Sequence, residues 1–468
     1  MQELQLENVT FDELRIGQSA SLTRTLSERD IELFAVMSGD FNPAHLDAAY
    51  AKDSAFGGVI GHGMWTGALI SALLGTTLPG PGTIYLNQNI DFKKPVHPGE
   101  TVRVSVTVKE KREHKHVVIF DCVCSNALGE TVAAGTAVVI APSHKIRVTR
   151  ADMPDVQLQH HDRYHQLLAS CDALDPIVTA VVHPVTAIAL QAAHEAALEK
   201  LIEPVLIGPA ARIREAAEEA GIDISGYRVI DVEHSHAAAA LAVQMAASGE
   251  VGTLMKGSLA TDELLGAVLP RAAGLRTERR ISHAYVMDVP TYHKLLMITD
   301  AAINVAPTLD EKADICRNAV DLWRVIVDHN VKPKVAVLAA TEKVKSNIQA
   351  TVDAACLSKM GDRHQIAHAH IDGPLALDLA ISQQAVQDKG LTSDVAGDAD
   401  ILVAPDIHAG NMIAKQLTFL GGADAAGIVL GARVPIILTS RADSLRTRLM
   451  SCALAVRMAD ARRAGLIK

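Results

Sequence analysis

The sequence predicts an α+β domain, in which an antiparallel sheet wraps one central helix, followed by a larger α/β domain with a mostly parallel sheet. Five strand-like runs accompany a single strongly apolar helix within residues 1–142. From residue 164 onward, strand, glycine and helix alternate, which is typical of a parallel sheet covered by helices on both faces. The chain has 468 residues, more than one ordinary core accommodates. Two or three domains are therefore expected.

Composition restricts the class of protein. Hydrophobic residues make up 49% of the chain and charged residues 21%, as in soluble globular proteins. No apolar run reaches membrane-spanning length, and the acidic start lacks the cationic and apolar parts of a signal peptide. Six scattered cysteines suit free thiols in a reducing cytoplasm. A net charge of −10 with 3% aromatic residues disfavours nucleic-acid binding. We therefore expect a cytoplasmic protein with neither a membrane nor a nucleic-acid partner.

The first domain begins with a strand over residues 18–26 and a helix that starts at Ser27, with Asp30 completing the cap. Residues 64–74 are apolar nearly all round, as expected of a helix that is buried on every side. Strand-like runs follow at residues 83–92, 101–109, 116–125 and 131–140. This order fits an antiparallel sheet around one helix.

A carboxylate and an imidazole lie five positions apart in S-G-D-F-N-P-A-H, residues 38–45. Pro43 biases Asn42 away from the helical region, so the chain turns and Asp40 and His45 can converge. Together they could take a proton from water and deliver one to carbon. On residue types alone, a polar turn with Asp40 as a cap and His45 half exposed remains the alternative.

Glycines precede the apolar helix at positions 57, 58, 61 and 63. At a helix start, glycine lets a ligand approach backbone N–H groups that lie at the positive end of the helix dipole. Such a helix start would suit a developing oxyanion.

These residues resemble the MaoC-like, (R)-specific enoyl-CoA hydratases of the hot-dog fold. The resemblance covers roughly residues 10–142 and rests on S-G-D-x-N-P-x-H, G-H-G-M (61–64) and I-Y-L-N-Q-N-I-D-F-K-K-P-V (84–96). It implies that Asp40 and His45 hold and activate water while the Gly63 N–H stabilises an enolate oxygen. It also implies substrate contacts at Asn42 and His62, and a homo-oligomer.

Residues 143–163 mix prolines, charges and histidines without periodicity and are predicted to be a linker. No cysteine partners or helical histidine spacing accompany these histidines, so we predict no metal site. Residues 164–468 form the second domain. Its predicted strands are 204–207, 227–232, 251–255, 334–339, 400–404 and 435–438, and its helices 187–201, 212–220, 237–247, 411–420 and 445–464.

Ligands in parallel sheets bind at the carboxyl ends of strands. In the second domain these ends are Gly208-Pro209, Lys256-Gly257, Thr341-Glu342, Pro405-Asp406 and Ser440-Arg441.

Residues 400–444 resemble the phosphate acetyl/butyryltransferases, as do M-K-G-S-L-A-T-D (255–262), S-H-A-Y-V-M-D-V-P (282–290) and D-G-P-L-A-L-D (372–378). The resemblance spans about residues 160–468 and looks nearer the butyryltransferase branch. It implies two α/β lobes with a cleft between them, the first about 164–285 plus 433–468 and the second about 286–432. It further implies that Ser440 polarises a carbonyl and Arg441 clamps phosphate.

The remaining candidates in this domain each have two readings. In the acetyltransferase branch an aspartate beyond the Ser-Arg pair serves as base, but Thr447 occupies that place here. Asp443 is the nearest carboxylate, and it could equally cap the closing helix. Asn411, after Gly410, could contact phosphate or cap a helix. Lys256 could bind phosphate or coenzyme A, or be an ordinary exposed lysine.

The sequence as a whole therefore predicts a bifunctional enzyme that acts on coenzyme A thioesters. Its substrates would be trans-2-enoyl-CoA in the first domain and acyl-CoA, phosphate and acyl phosphate in the second, with no permanently bound cofactor. Two alternatives stay open. In one, a single site is active and the second domain is a CoA-binding scaffold. In the other, the second domain is a nicotinamide- and metal-dependent dehydrogenase, a class with a similar two-lobed fold, although no aspartate cluster suited to a metal is found.

Overall fold

The computed structural model of the chain describes residues 5–149, 151, 156, 158, 162–438 and 443–467. Two compact units divide the chain, Met1–Leu158 and Gln159–Lys468. Among the described residues, none of the helices has both the length and the apolar character needed to cross a membrane.

The first unit contains β1 (Gln5–Glu7), β2 (Ser19–Thr25), α1 (Glu28–Ser38), α2 (Pro43–Leu46), α3 (Ala48–Asp53), α4 (Gly63–Thr76), β3 (Ile84–Phe92), β4 (Thr101–Arg112), β5 (Val117–Asn126), β6 (Thr131–Ile140) and β7 (Arg147–Thr149). Its main sheet has the antiparallel order β2-β4-β5-β6-β3, and β1 pairs with β7. Strand β3 therefore lies at an edge of the main sheet.

The core of the first unit lies between α4 and the sheet. Ile70 and Leu73 of α4 are at most 1% exposed and share one buried cluster with Val106 of β4 and Phe120 of β5. Burial of this helix against the sheet fixes the position of its first turn. The predicted antiparallel sheet around one helix is confirmed.

The second unit contains α5 (Asp162–Ala169), β8 (Ile177–Val182), α6 (Ala187–Leu198), β9 (Ile202–Gly208), α7 (Ala210–Ala220), β10 (Arg228–Asp231), α8 (Ser235–Ser248), β11 (Thr253–Lys256), α9 (Thr261–Val268), β12 (Ser282–Asp288), β13 (Leu296–Thr299), α10 (Leu309–Ile326), β14 (Lys334–Leu338), α11 (Gln349–Asp362), β15 (His370–Leu375), α12 (Leu377–Ile381), α13 (Gln383–Lys389), β16 (Ile401–Val403), α14 (Ile407–Phe419), β17 (Asp424–Leu430), β18 (Ile436–Ile437) and α15 (Leu445–Arg463). Its strands form one sheet in the order β10-β9-β8-β11-β18-β17-β12-β13-β16-β14-β15.

Strand direction divides this sheet into two blocks. Strands β10, β9, β8, β11 and β18 are mutually parallel, as are β13, β16, β14 and β15. Between the two blocks, β18 pairs antiparallel with β17, β17 with β12, and β12 with β13. Because the direction reverses three times, the two blocks run in opposite directions. The carboxyl ends of the strands in one block therefore lie on the same side of the sheet as the amino ends of the strands in the other. The predicted α/β fold with a mostly parallel sheet is confirmed.

Candidate active sites

Asp40 lies in the loop that follows α1, immediately after Gly39, whose φ of 76° ends that helix. The Asp40 side chain is exposed, and its Oδ1 accepts the N–H of Asn42 at 3.2 Å. The Asn42 side chain in turn caps α2, because its Oδ1 accepts the N–H of Ala44 at 3.0 Å. That oxygen of Asn42 is therefore engaged locally, and the substrate contact of Asn42 stays a prediction.

The single turn of α2 carries the His45 ring back toward Asp40. The Nδ1 of His45 lies 2.8 Å from the carbonyl oxygen of Ile60. A carbonyl oxygen only accepts hydrogen bonds, so Nδ1 carries a hydrogen, and in the neutral imidazole Nε2 then has the lone pair. The structure brings Asp40, His45 and His62 together, with ligand-type atoms all within 4.8 Å of one another. The two predicted side chains therefore lie close together, and their role in activating water stays a prediction.

Gly63 is the first residue of α4, and the preceding His62 occupies the N-cap position without a capping side-chain bond. The first N–H groups of a helix have no intrahelical acceptor, so they remain available to an oxyanion. A Cβ atom at Gly63 would lie 3.0 Å from the Phe92 ring. Glycine is therefore the residue that lets this helix start approach β3. His62 is only 4% exposed, so its ring faces protein rather than solvent.

The same three residues form the one group among the described parts of the chain whose positions could hold a metal ion. The rings of His45 and His62 face each other, with centroids 3.9 Å apart and planes tilted by 30°. The Nδ1 of His45 and the Nε2 of His62 each face a backbone carbonyl oxygen, which leaves one ring nitrogen of each residue for another contact.

In the second unit, the carboxyl ends of the parallel strands β8, β9 and β11 lie beside a cavity of about 410 Å³. Its polar lining residues are His183, Thr186, Arg212, Lys256, Ser258 and Arg448. None of the described residues that line the cavity is a carboxylate. The cavity is therefore electropositive and suited to an anion.

Each cation reaches the cavity from a different element. Lys256 is the last residue of β11, Arg212 lies in the first turn of α7, and Arg448 lies in the first turn of α15. Arg448 is 7% exposed and donates from a guanidinium nitrogen to the carbonyl oxygen of Ile188 at 2.9 Å. Ile188 belongs to the first turn of α6, whose N-terminal N–H groups therefore lie beside this cavity.

Two hydroxyl groups complete this surface, since Thr186 Oγ1 and Ser258 Oγ are 2.8 Å apart. Cations, hydroxyls and a helix N-terminus together are the groups that recognise phosphate.

His183 follows β8 and has a φ of 57°, a conformation that is uncommon outside glycine. Its ring is 8% exposed, and its Nδ1 is buried without a hydrogen-bond partner among the described residues. Burial lowers the pKa of His183 below its ordinary value, and the charge of Arg212 lowers this pKa further. Both effects favour the neutral form of the His183 ring. A Cβ at Gly257 would lie 2.4 Å from the carbonyl oxygen of Val182, so the adjoining strand ends require this glycine.

Sequence reasoning missed His183, Arg212 and Arg448. The apolar run of β8 followed by His183 and Pro184 was an available signal, because it has the strand-then-loop form of the other strand ends. Nothing local marks Arg448, which is 260 positions from its bonding partner Ile188.

Ser440 and Arg441 lie outside the described residues. The chain reaches this segment from β18, which pairs in parallel with β11. Asp443 directly precedes Ser444, and Ser444 caps α15 by accepting the N–H of Thr447 at 3.2 Å. The prediction that Asp443 caps the closing helix is therefore wrong, because the neighbouring hydroxyl takes that position.

Asp443 is electrostatically close to two groups of the second unit. Burial lowers the pKa of Arg448, and the Asp443 charge partly offsets that decrease. Burial also raises the pKa of Tyr285, and the Asp443 charge raises it further. Thr447, which occupies the place of the expected base, is buried and accepts the Ser444 hydroxyl at 3.2 Å. Asp443 is thus the carboxylate that shares a neighbourhood with the cavity residue Arg448.

Asn411 is not at a helix start. Helix α14 begins at Ile407 and is capped by Asp406, which accepts the N–H of Ala409. The Asn411 amide donates to the carbonyl oxygen of Ala301 at 3.1 Å. Of the two alternatives for Asn411, capping is therefore wrong, and a phosphate contact stays a prediction. Asn411 follows β16 and Lys256 ends β11, and these two strands run in opposite directions.

Comparison with known proteins gives two family matches. Residues 235–456 match the family described as Phosphate acetyl/butaryl transferase, and residues 13–122 match the MaoC like domain. A phosphate acetyltransferase of Rhizobium meliloti is 53% identical over 305 residues, which cover 65% of this chain and 96% of that protein.

A phosphate butyryltransferase of Clostridium beijerinckii is 41% identical over 273 residues, covering 58% of this chain and 89% of that protein. The higher identity to the acetyltransferase runs against the predicted nearness to the butyryltransferase branch. Among solved structures, a branched-chain phosphotransacylase from Enterococcus faecalis V583 is 30% identical with a TM-score of 0.53, covering 60% of this chain and 99% of that one.

Proposed function

Since the chain belongs to the phosphate acetyl/butyryl transferase family and carries a MaoC-like domain ahead of it, we propose that it is a bifunctional enzyme acting on coenzyme A thioesters. The first unit hydrates trans-2-enoyl-CoA reversibly to (R)-3-hydroxyacyl-CoA. The second unit interconverts acyl-CoA plus phosphate with acyl phosphate plus free coenzyme A, with an acetyl or butyryl group as the acyl chain.

In the hydration step, a water molecule is held between the Asp40 carboxylate and the His45 Nε2. The pair removes a proton as the water oxygen bonds to C3 of the enoyl group, and a proton is delivered to C2. Negative charge that develops on the thioester oxygen is stabilised by the Gly63 N–H at the start of α4. The observation that carries this proposal is the convergence of Asp40 and His45 beside that helix start.

In the transfer step, Lys256, Arg448 and the α6 N-terminus hold phosphate groups of the substrates. Ser440 polarises the acyl carbonyl, Arg441 binds the transferred phosphate, and Asp443 accepts the proton of the coenzyme A thiol. The thiolate then attacks the carbonyl carbon and phosphate leaves, so no cofactor is required. The observation that carries this proposal is the cavity with three cations and no described carboxylate in its lining.

A substrate panel tests both activities on the full chain. Short and medium enoyl-CoAs should lose the absorbance of the conjugated double bond without phosphate, and chiral analysis should show the (R) product. Saturated acyl-CoAs should release free thiol only when phosphate is added. If one of the two signals is missing for every substrate, the single-site alternative replaces this proposal.

Replacing Lys256 with methionine is expected to raise the KM for acyl-CoA or phosphate. Losing a hydrogen bond to a charged group costs about 1.5–3 kcal/mol, which corresponds to about a 10- to 150-fold change. Steady-state kinetics with both substrates varied would show which one Lys256 holds. Lys256→Arg should keep most of the affinity, and Lys415→Met, on the exposed face of α14, should change nothing. Unchanged KM values in Lys256→Met would remove this lysine from the site.

A homo-oligomer is part of the proposal. The edge strand β3 exposes Ile84 (56%), Leu86 (52%) and Phe92 (51%) beside unpaired backbone groups, a surface that proteins usually cover. A cytoplasmic location is supported by the six cysteines, which are all free.

The dehydrogenase alternative has less support. Within the described part of the second unit, no three His, Cys, Asp or Glu side chains converge as a metal site would require.

A further inference from the structure

His62 makes ring and backbone contacts that the proposed hydration chemistry does not use. Its ring lies between Phe34, with centroids 4.9 Å apart, and His45, with centroids 3.9 Å apart. At 4% exposure it is enclosed in the first unit, although it directly precedes the exposed Gly63.

The nitrogens of His62 have distinct surroundings. Nε2 lies 3.1 Å from the backbone carbonyl oxygen of Asp40, which is 22 positions away in the chain. The carbonyl oxygen can only accept, so Nε2 carries a hydrogen, and in the neutral imidazole Nδ1 then has the lone pair. Nδ1 is buried and has no hydrogen-bond partner among the described residues. The ring therefore has one hydrogen-bond partner there, the Asp40 carbonyl oxygen.

We propose that His62 is a positioning residue for the hydration site, one that sets the spacing of Asp40, His45 and Gly63 without touching substrate. This inference rests on the proposed hydratase function of the first unit. It replaces the expected substrate contact of His62, because an enclosed ring that is already bonded to the backbone is poorly placed to meet a ligand.

Each contact of His62 fixes one component of the site. The Nε2–H bond ties the loop that bears Asp40 to the start of α4. The ring face covers one side of His45, whose other constraint is the Nδ1–H bond to Ile60. Gly63 is the next residue, so the position of its N–H follows the position of His62. One side chain therefore couples the water-activating pair to the oxyanion donor.

Two substitutions separate these contacts. His62→Phe keeps a ring against His45 but loses the donor to Asp40, whereas His62→Gln keeps a donor and loses the ring. Misplacing a reacting group by about 1 Å can cost about 100-fold in rate, so both variants should lose about that much in kcat for crotonyl-CoA. The KM should stay within about threefold of the wild-type value, because the bound thioester is not contacted.

The acyl-transfer activity of the second unit serves as an internal reference, and a second histidine of the first unit provides a matched control. Phosphate-dependent transfer by the second unit should be unchanged in both variants, which measures the amount of intact protein. His116 also packs its ring on another aromatic ring, that of Phe11, with centroids 4.7 Å apart. His116→Phe makes the same chemical change away from the loop that holds His45 and should leave the kcat for hydration unchanged.

A measurement without substrate covers the case in which a variant folds poorly. Nitrogen NMR of the wild-type protein labelled in histidine should show His62 as the Nε2–H tautomer with a protected hydrogen. A raised KM with retained kcat, an unchanged kcat in both variants, or the Nδ1–H tautomer would each overturn this inference. If the wild-type protein hydrates no enoyl-CoA, the proposed function itself fails, and that outcome is distinct from all three.

Discussion

Replacing Asp40 with asparagine is expected to lower the hydration of crotonyl-CoA by about 1,000-fold, within the range for loss of a general acid–base group. An amide cannot accept the proton that the carboxylate takes from water. The asparagine Oδ1 can still accept the N–H of Asn42, as the Asp40 Oδ1 does at 3.2 Å, so the loop should keep its shape. Phosphate-dependent acyl transfer should be unaffected, because the residues proposed for it belong to the second unit.

Asp47→Asn is the matched control for this experiment. Asp47 caps α3 through an Oδ1 that accepts the N–H groups of Ala49 and Tyr50, and asparagine caps equally well. The control makes the same chemical change seven positions away, so its hydration rate should equal that of the wild-type protein. If Asp40→Asn removed both activities while circular dichroism showed an intact fold, the two sites could not be separate.

Replacing Ser440 with alanine is expected to lower phosphate-dependent acyl transfer by about 100-fold or more, the usual effect of removing one donor to a developing oxyanion. The hydroxyl is proposed to polarise the acyl carbonyl, and alanine removes it without adding volume. Thiol release from acyl-CoA in the presence of phosphate measures the effect. Hydration of crotonyl-CoA in the same preparation should be unchanged.

Ser444→Ala is the control four positions along the chain. The Ser444 hydroxyl caps α15, so its loss should cost about 1 kcal/mol of stability while leaving the acyl-transfer turnover close to the wild-type value. The two variants therefore separate a chemical role from a structural one for the same residue type. An unchanged turnover in Ser440→Ala would exclude Ser440 from the mechanism.

The side chains proposed for hydration could be singled out from the sequence because they lie close together in the chain. Asp40 and His45 are separated by a proline that turns the chain, and the helix that carries Gly63 has an apolar pattern that requires burial. Hydrogen bonds between near neighbours, such as Asp40 to Asn42, then set the geometry. What the sequence did not show is that His62 is enclosed, because this depends on Phe34 and His45 packing on either side of it.

Helix starts in the second unit were less predictable, because adjacent polar residues compete for the same cap. Asp443 and Ser444 are both good caps, and the hydroxyl of Ser444 took the position. Asp406 likewise capped α14, which begins at Ile407 instead of near Asn411. Propensity allowed each of these choices, so the sequence pattern alone did not fix where either helix begins.

The sequence by itself determined the two-part architecture, the Asp40–His45 pair and the glycine-marked strand end at Lys256, since periodicity, turns and caps arise from neighbouring residues. Only the tertiary structure decided which distant groups meet. It placed Arg448 of the last helix beside Lys256 in one cavity. It placed Asn411 elsewhere, with its amide bonded to the carbonyl oxygen of Ala301. Strand order and direction follow from burying apolar faces of segments far apart in the chain, and no short pattern encodes that burial.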